Sequence, residues 1–140
     1  TLSKMMVASA AWLLAALPAL AAEALSEGQL AAAARVFTGG VDCEFNRKIS
    51  LEPIEGTPGH FKLTYNNLSY TLVPQETTTG AVRLEDRKAG IVWLQIPAKS
   101  MLMNAKLGQR MVDSCQHAEQ RAAVAPVGGA IGIAVAQTPR

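Results

Sequence analysis

Apolar and polar residues alternate along most of the chain between residues 41 and 115, which is the pattern of half-buried β-strands. Residues 60–65 and 68–72 alternate cleanly. The Asn66-Asn67 pair between them suits a tight hairpin turn, because asparagine tolerates positive φ. In this register the larger apolar residues of both strands share one face: Phe61, Leu63, Tyr65, Leu68, Tyr70 and Leu72.

The same pattern predicts further strands, each bounded by glycine, proline or charged turn residues. They cover residues 41–46, 48–52, 81–85, 91–95, 99–104 and 109–115. About eight short strands with regular turn signals are typical of an antiparallel sandwich or small barrel. We predict an all-β fold, a small antiparallel barrel of about eight strands, because closure removes exposed sheet edges. An open sheet of five or six strands is the alternative.

A short N-terminal helix is predicted before the strands. Ser26 and Gln29 have the spacing of a capping box, and alanine-rich residues 30–35 continue the helical pattern. The Gly39-Gly40 pair is expected to interrupt the chain before the first strand.

The first residues have the features of a secretory signal peptide. Lys4 supplies a positive charge, residues 5–20 are almost entirely apolar, and Ala-Leu-Ala follows Pro18. We expect cleavage after Ala21, with cleavage after Ala24 as the second choice. An uncleaved membrane anchor is the less favoured interpretation, since the apolar run is short for a membrane span.

The predicted organisation therefore has four parts. Residues 1–21 form the signal peptide, residues 22–40 a short helix and linker, and residues 41–118 the β-barrel domain. Residues 119–140 are predicted to be a flexible tail, because glycine and proline interrupt every helical period there.

Cys43 and Cys115 are the only cysteines in the sequence. An exported chain enters an oxidising compartment, so we expect these two thiols to form a disulfide. The bond would close a loop of roughly 72 residues and stabilise the fold by roughly 4–5 kcal/mol in the chain-entropy description. The predicted barrel is therefore closed by one disulfide.

Charge and residue content argue against several function classes. Without Lys4 the exported chain has 12 basic and 11 acidic residues, so we expect no nucleic-acid partner. His60 and His117 are far apart in the sequence and belong to no catalytic or metal-binding motif, so we assign them to the surface. We predict no enzymatic activity, no catalytic residues, no metal and no cofactor.

The predicted loop with the most polar side chains covers residues 74–80, in which three threonines precede Gly80. Consecutive hydroxyl groups before a glycine form an extended polar segment with several donors and acceptors. Loops on a rigid scaffold commonly carry binding functions. This loop is the candidate contact surface, with a solvated connection as the alternative.

The order of these features resembles the MliC/PliC family of c-type lysozyme inhibitors. The resemblance covers roughly residues 41–116. It is carried by Cys43, the hairpin of residues 63–72, Thr79-Gly80-Ala81, Trp93 and the closing Val-Asp-Ser-Cys-Gln of residues 112–116. It implies a small eight-stranded barrel. Since no cysteine ends the apolar leader, it implies the unlipidated periplasmic form of the family.

In that family, a loop hydroxyl bonds to one catalytic carboxylate of lysozyme and a nearby lysine pairs with the other. The resemblance assigns the hydroxyl to Thr79, with Thr78, Gly80 and Ala81 beside it. Gln95 stands two residues after Trp93, where the family carries its lysine. Arg83 or Lys99 is therefore expected to supply the positive charge.

We thus predict a periplasmic protein-binding module that inserts its Thr-Gly loop into the active-site cleft of a c-type lysozyme. We expect no membrane contact once the signal peptide is removed. The alternative is an envelope protein of the same fold that binds another protein or a glycan, by a surface near Trp93 and residues 101–103. Those apolar residues are otherwise expected to pack in the core.

Overall fold

The computed structural model describes residues 24–124, so the predicted signal peptide and most of the predicted tail lie outside the described residues. Eight strands lie between two short helices. In chain order the elements are α1 Glu27–Ala34, β1 Gly39–Asp42, β2 Lys48–Pro53, β3 Phe61–Tyr65, β4 Leu68–Gln75, β5 Val82–Asp86, β6 Ile91–Gln95, β7 Ser100–Asn104, β8 Gln109–Cys115 and α2 Ala118–Val124. Neither helix is long and apolar enough to span a membrane.

Each strand pairs antiparallel with the next, in the order β1 to β8. The first and last strands meet at one antiparallel bridge between Asp42 and Gln116. Its two backbone hydrogen bonds measure 2.7 and 3.2 Å. The Cys43–Cys115 disulfide lies directly beside this bridge. The sheet is therefore a nearly closed eight-stranded barrel joined by one disulfide, which confirms the predicted fold class.

The hairpin of β3 and β4 has the predicted register. Phe61 lies opposite Leu72, and Tyr65 lies opposite Leu68. Asn66 and Asn67 have φ values of 49° and 63°, as a two-residue turn with left-handed central residues requires. The hydrophobic period and the turn residues together determine this part of the barrel.

The barrel interior is filled by side chains from all eight strands. The buried apolar residues are Val41, Ile49, Leu51, Phe61, Leu63, Tyr65, Leu72, Val82, Leu84, Ile91, Trp93, Leu102 and Val112, with the disulfide sulfur of Cys115. Trp93 is 1% exposed, and among the described residues no acceptor lies within hydrogen-bond distance of its indole N–H. Trp93 and Leu102 are thus core residues, as their apolar setting predicts.

Helix α1 begins with the predicted capping box. The Ser26 hydroxyl accepts a 3.1 Å hydrogen bond from the Gln29 N–H, and the Gln29 side chain accepts a 2.8 Å bond from the Ser26 N–H. The Gln29 amide also donates to the carbonyl oxygen of Pro74 in β4, at 2.8 Å. The helix is therefore fixed to the outside of the barrel.

The first strand differs from the prediction. It covers Gly39–Asp42, so the glycine pair expected to interrupt the chain lies within it. Phe45 and Asn46, predicted to extend this strand, both have φ of 56° and form the turn into β2. The Arg47 N–H closes this turn by donating to the Glu44 carbonyl oxygen at 3.2 Å.

Helix α2 was not predicted and includes residues 119–124 of the segment predicted as a flexible tail. His117 precedes it, and its ring nitrogen Nδ1 accepts a 3.1 Å hydrogen bond from the Glu119 N–H. Gln120 is 1% exposed and donates to the Ile96 carbonyl oxygen and the Ser100 hydroxyl, at 2.9 and 3.0 Å. These contacts hold α2 against the β6–β7 connection.

In this meander, successive connections alternate between the two ends of the barrel. We call the end with connecting segments 54–60, 76–81 and 96–99 the loop end. Both helices join the barrel there, because β1 begins and β8 finishes at that end. We call the end with segments 43–47, 66–67, 87–90 and 105–108 the turn end.

Candidate functional site

The threonine-rich segment 76–81 connects β4 to β5 at the loop end and is internally ordered. The Thr77 hydroxyl donates to the Ala81 carbonyl oxygen at 2.7 Å, and the Thr79 hydroxyl accepts a 3.3 Å bond from the Ala81 N–H. Thr78, Thr79 and Gly80 are exposed. Since Thr79 acts as an acceptor within the loop, its hydroxyl hydrogen is available to an external acceptor.

Gly80 occupies the tip of the segment with φ of 82°, a left-handed conformation that residues with a side chain rarely adopt. Apart from its chain neighbours, no atom lies within 4 Å of the position of a Cβ there, so a Cβ would meet open space. Glycine is thus required by the backbone conformation and not by crowding.

The cation that contacts this loop is Arg35, the C-cap residue of α1. Its guanidinium donates a 2.7 Å hydrogen bond to the Gly80 carbonyl oxygen. Ser26, at the start of the same helix, donates to the Glu76 carboxylate at 3.3 Å. Helix α1 therefore supports both ends of the loop. Sequence reasoning missed Arg35, because only the docking of α1 brings it near Gly80.

The two cations expected from the sequence are engaged elsewhere on the barrel. The Arg83 guanidinium pairs with the Glu85 carboxylate at 2.6 Å, on the outer face of β5. The Lys99 ammonium pairs with Asp113 at 3.0 Å, between the β6–β7 connection and β8. Lys99 lies at the loop end with Thr79, whereas Arg83 follows the loop inside β5.

Asp113 is 6% exposed and is the centre of a charged cluster. The backbone N–H of Ser114 holds the pKa of the Asp113 carboxyl below its ordinary value. Burial opposes this shift, while Lys99 and Arg110 contribute to it, with Arg110 at 3.0 Å. The Asp113 N–H donates to the Glu44 carboxylate at 2.9 Å. The cluster therefore joins β8 to the turn after β1, close to the disulfide.

Gln95 has a structural role at the position where the family resemblance places a lysine. Its side chain is buried and donates to the Arg35 carbonyl oxygen at 2.8 Å. Its amide oxygen accepts a 3.0 Å bond from the Phe37 N–H. One side chain thus satisfies two backbone groups of the segment between α1 and β1, which a lysine cannot do because it has no acceptor.

A groove of about 680 Å³ lies beside the loop, between the α1–β1 segment, the β6–β7 connection and α2. Gly80 and Val82 contribute to its wall. The rings of Phe37 and His117 stack within it, with centroids 5.3 Å apart. His117 also contacts the Thr38 carbonyl oxygen at 2.9 Å, so it fixes the segment before β1 as well as α2.

The surface proposed for the alternative function is largely buried. Trp93 is a core residue, as is Leu102, while Met101 and Met103 are partly exposed on the outer face of β7. The loop end, in contrast, exposes Thr78, Thr79 and Arg35 beside the groove.

Among residues 24–124, no group of three His, Cys, Asp or Glu side chains is arranged to hold a metal ion. Comparison of the chain with protein-family models, with curated proteins and with solved structures finds no match.

Proposed function

We propose that this chain is a periplasmic inhibitor of c-type lysozyme and a divergent member of the MliC/PliC family. The segment 76–81 would enter the active-site cleft of the enzyme. The observation that carries the proposal is the exposed Thr79 hydroxyl, held on an ordered loop at one end of a rigid barrel.

An ordered loop favours tight binding, because less conformational entropy is lost on association. The bonds from Thr77 to Ala81 and from Arg35 to Gly80 already hold the segment in one conformation. The Thr79 hydroxyl then donates to one catalytic carboxylate of the lysozyme. Engaging that carboxylate prevents it from acting as a proton donor or nucleophile.

Arg35 is the residue that we assign to the second carboxylate. It is exposed, and the hydrogen bond to Gly80 uses only part of a guanidinium that has five N–H donors. Its position next to the loop tip replaces the lysine that the family resemblance would place at Gln95. Arg83 and Lys99 are less suited to this role, since each is paired with a carboxylate of the barrel.

The test is the rate of peptidoglycan hydrolysis by a c-type lysozyme in the presence of the purified protein. We expect inhibition at micromolar protein. Thr79→Val removes the hydroxyl while keeping the shape, and should weaken inhibition at least tenfold. Thr71→Val, on the outer face of β4, is the matched control and should inhibit like the parent chain. Full lysozyme activity in the presence of micromolar parent protein would refute the proposal.

The groove of about 680 Å³ supports a second candidate, an envelope protein that binds another protein or a glycan at the loop end. Stacked Phe37 and His117 offer aromatic surface in that groove. Affinity capture from an envelope extract separates the two candidates. Capture of a partner other than lysozyme that is lost in a Phe37→Ala variant, and kept in Thr79→Val, would favour this second function.

A further inference from the structure

The three most exposed large apolar side chains of residues 24–124 all lie at the turn end of the barrel. Phe45 is 81% exposed, Leu107 is 66% exposed and Leu68 is 55% exposed. Each lies in or beside a different turn, in segments 43–47 and 105–108 and directly after 66–67. This end is opposite to the loop that carries Thr79.

Hydrogen bonds connect the turns of this end in two pairs. The Arg47 guanidinium donates to the Tyr65 hydroxyl at 2.6 Å, joining the first turn to the end of β3. The Lys106 ammonium donates to the Lys88 carbonyl oxygen at 2.5 Å, joining the third turn to the fourth. Phe45 and Leu68 therefore project from one pair of joined turns, and Leu107 projects from the other pair.

The turn end is also the basic end of the barrel. Its connecting segments contain Arg47, Arg87, Lys88 and Lys106, all exposed, and a single carboxylate, that of Glu44. The connecting segments of the loop end contain two carboxylates and one lysine, and the helices that join there add Glu27, Arg35, Glu119 and Arg121. The excess of positive charge therefore lies at the turn end, while the charges of the loop end nearly balance.

The conformation of Phe45 indicates that it is not kept for stability. Its φ of 56° places a bulky aromatic residue in the left-handed region, which is unfavourable for any residue with a large side chain. The side chain is largely exposed, so hydrophobic burial does not offset this cost. At residues 66 and 67 the chain uses asparagine for the same sign of φ.

We propose that the turn end docks on the anionic surface of a phospholipid membrane. Phe45, Leu68 and Leu107 would enter the interface between headgroups and acyl chains, and the surrounding cations would contact phosphate groups. Single apolar side chains separated by lysine and arginine suit such an interface. A protein-binding hot spot would instead gather large side chains at one packed centre, whereas these three lie in or beside different turns.

This inference departs from the sequence-based expectation of no membrane contact, and it does not depend on lysozyme binding. It concerns contact with a membrane surface and needs no spanning segment. A docked barrel would direct the loop end, with Thr79 and Arg35, away from the membrane.

The experiment is vesicle flotation of the exported protein, recovered without its leader, at low salt. Vesicles of phosphatidylcholine alone are compared with vesicles that contain phosphatidylglycerol. We expect binding only to the anionic vesicles, and its loss at high salt. Phe45→Asn should weaken binding at least fivefold. Lys88→Gln with Lys106→Gln should weaken it by about fivefold for each charge removed.

Val124→Asn, at an apolar site in α2 that is 52% exposed, and Lys62→Gln, an exposed cation on β3, are the controls and should bind like the parent chain. A parent protein that does not float with anionic vesicles would overturn the proposal. Equal binding by Phe45→Asn and the parent would also overturn it. Self-association that depends on Phe45, measured by sedimentation, together with a lack of vesicle binding, would overturn it as well.

Discussion

Arg35 and Gly80 are joined by a 2.7 Å hydrogen bond from the guanidinium to the carbonyl oxygen, although 45 residues separate them in the sequence. Arg35 is the C-cap residue of α1, and Gly80 lies near the end of the threonine-rich segment. The bond therefore makes the position of the loop depend on the docking of a helix outside the strands.

Replacing Arg35 by methionine tests this dependence. The change keeps the aliphatic stem and removes the donors, so we expect the loop to lose order while global stability falls by less than about 1 kcal/mol, as for an exposed hydrogen bond. Hydrogen exchange of the Ala81 amide should become faster, and lysozyme inhibition weaker. Lys62→Met, an exposed cation on β3, should change neither. An unaltered exchange rate at Ala81 in Arg35→Met would show that the bond does not order the loop.

Gln95→Leu is expected to be more damaging, because Gln95 is buried and bonds to both Arg35 and Phe37. Leucine has a similar volume but leaves two backbone groups without partners, at a cost of about 1–3 kcal/mol. Urea unfolding measures this loss, and hydrogen exchange at Phe37 locates it. Gln109→Leu, at an exposed position in β8, is the control. Stability equal to that of the parent would contradict the assigned anchoring role.

Gln95→Lys, which restores the residue type expected from the family resemblance, should destabilise the fold at least as much as Gln95→Leu. It buries a charge and removes the acceptor that Phe37 uses.

Phe45 and Asn66 allow a reciprocal test of turn chemistry. Both have positive φ, 56° and 49°, but asparagine adopts this conformation more readily than phenylalanine. Phe45→Asn should stabilise the protein by about 1 kcal/mol, and Asn66→Phe should destabilise it by about the same amount. Thermal unfolding of the two variants gives both values. Destabilisation by Phe45→Asn would mean that the phenylalanine makes contacts that favour the fold.

Because of Asp113, the free energy of unfolding should depend on pH in the acid range. Its pKa is lower in the folded protein than its ordinary value, chiefly because of the Ser114 N–H. Its contribution is therefore complete above the unfolded pKa of about 3.9 and is lost as the pH falls through the lower, folded pKa. We expect Asp113→Asn to make the free energy of unfolding depend less on pH in the acid range, as measured by urea unfolding.

Asp42→Asn provides the comparison for that profile. The pKa of Asp42 is also lowered, by its hydrogen bond and ion pair with Lys48, but both side chains are largely exposed. Solvent screens such a pair, so we expect a smaller change than for Asp113→Asn. If the free energy of unfolding depended on acid pH equally in the two variants, burial of Asp113 would contribute little.

The strands could be predicted because their side chains alternate between the apolar interior of the barrel and its outer surface. The asparagine pair located the β3–β4 turn correctly, since residue type and backbone conformation agree there. The β1–β2 turn was missed for the opposite reason. Phe45 occupies a conformation that its residue type disfavours, so alternation alone extended β1 too far.

Helix α2 and the role of Arg35 could not be predicted from local pattern. Seven residues provide little helical signal, and the bonds that hold α2 join Gln120 to Ile96 and Ser100 across the fold. The threonine-rich loop, in contrast, could be recognised in the sequence. Its supporting cation could not, because Arg35 and Gly80 meet only after α1 has docked.

The narrow contact between β1 and β8 has a consequence for when the protein can finish folding. A meander of this kind joins its first strand to its last only after all the intervening residues have been made. Here a single pair of peptide hydrogen bonds does so, and the Cys43–Cys115 bond secures it. In the reducing cytosol the two strands would lack that covalent connection and could separate. Completion of the native structure is therefore expected only where an oxidant is present to form that bond.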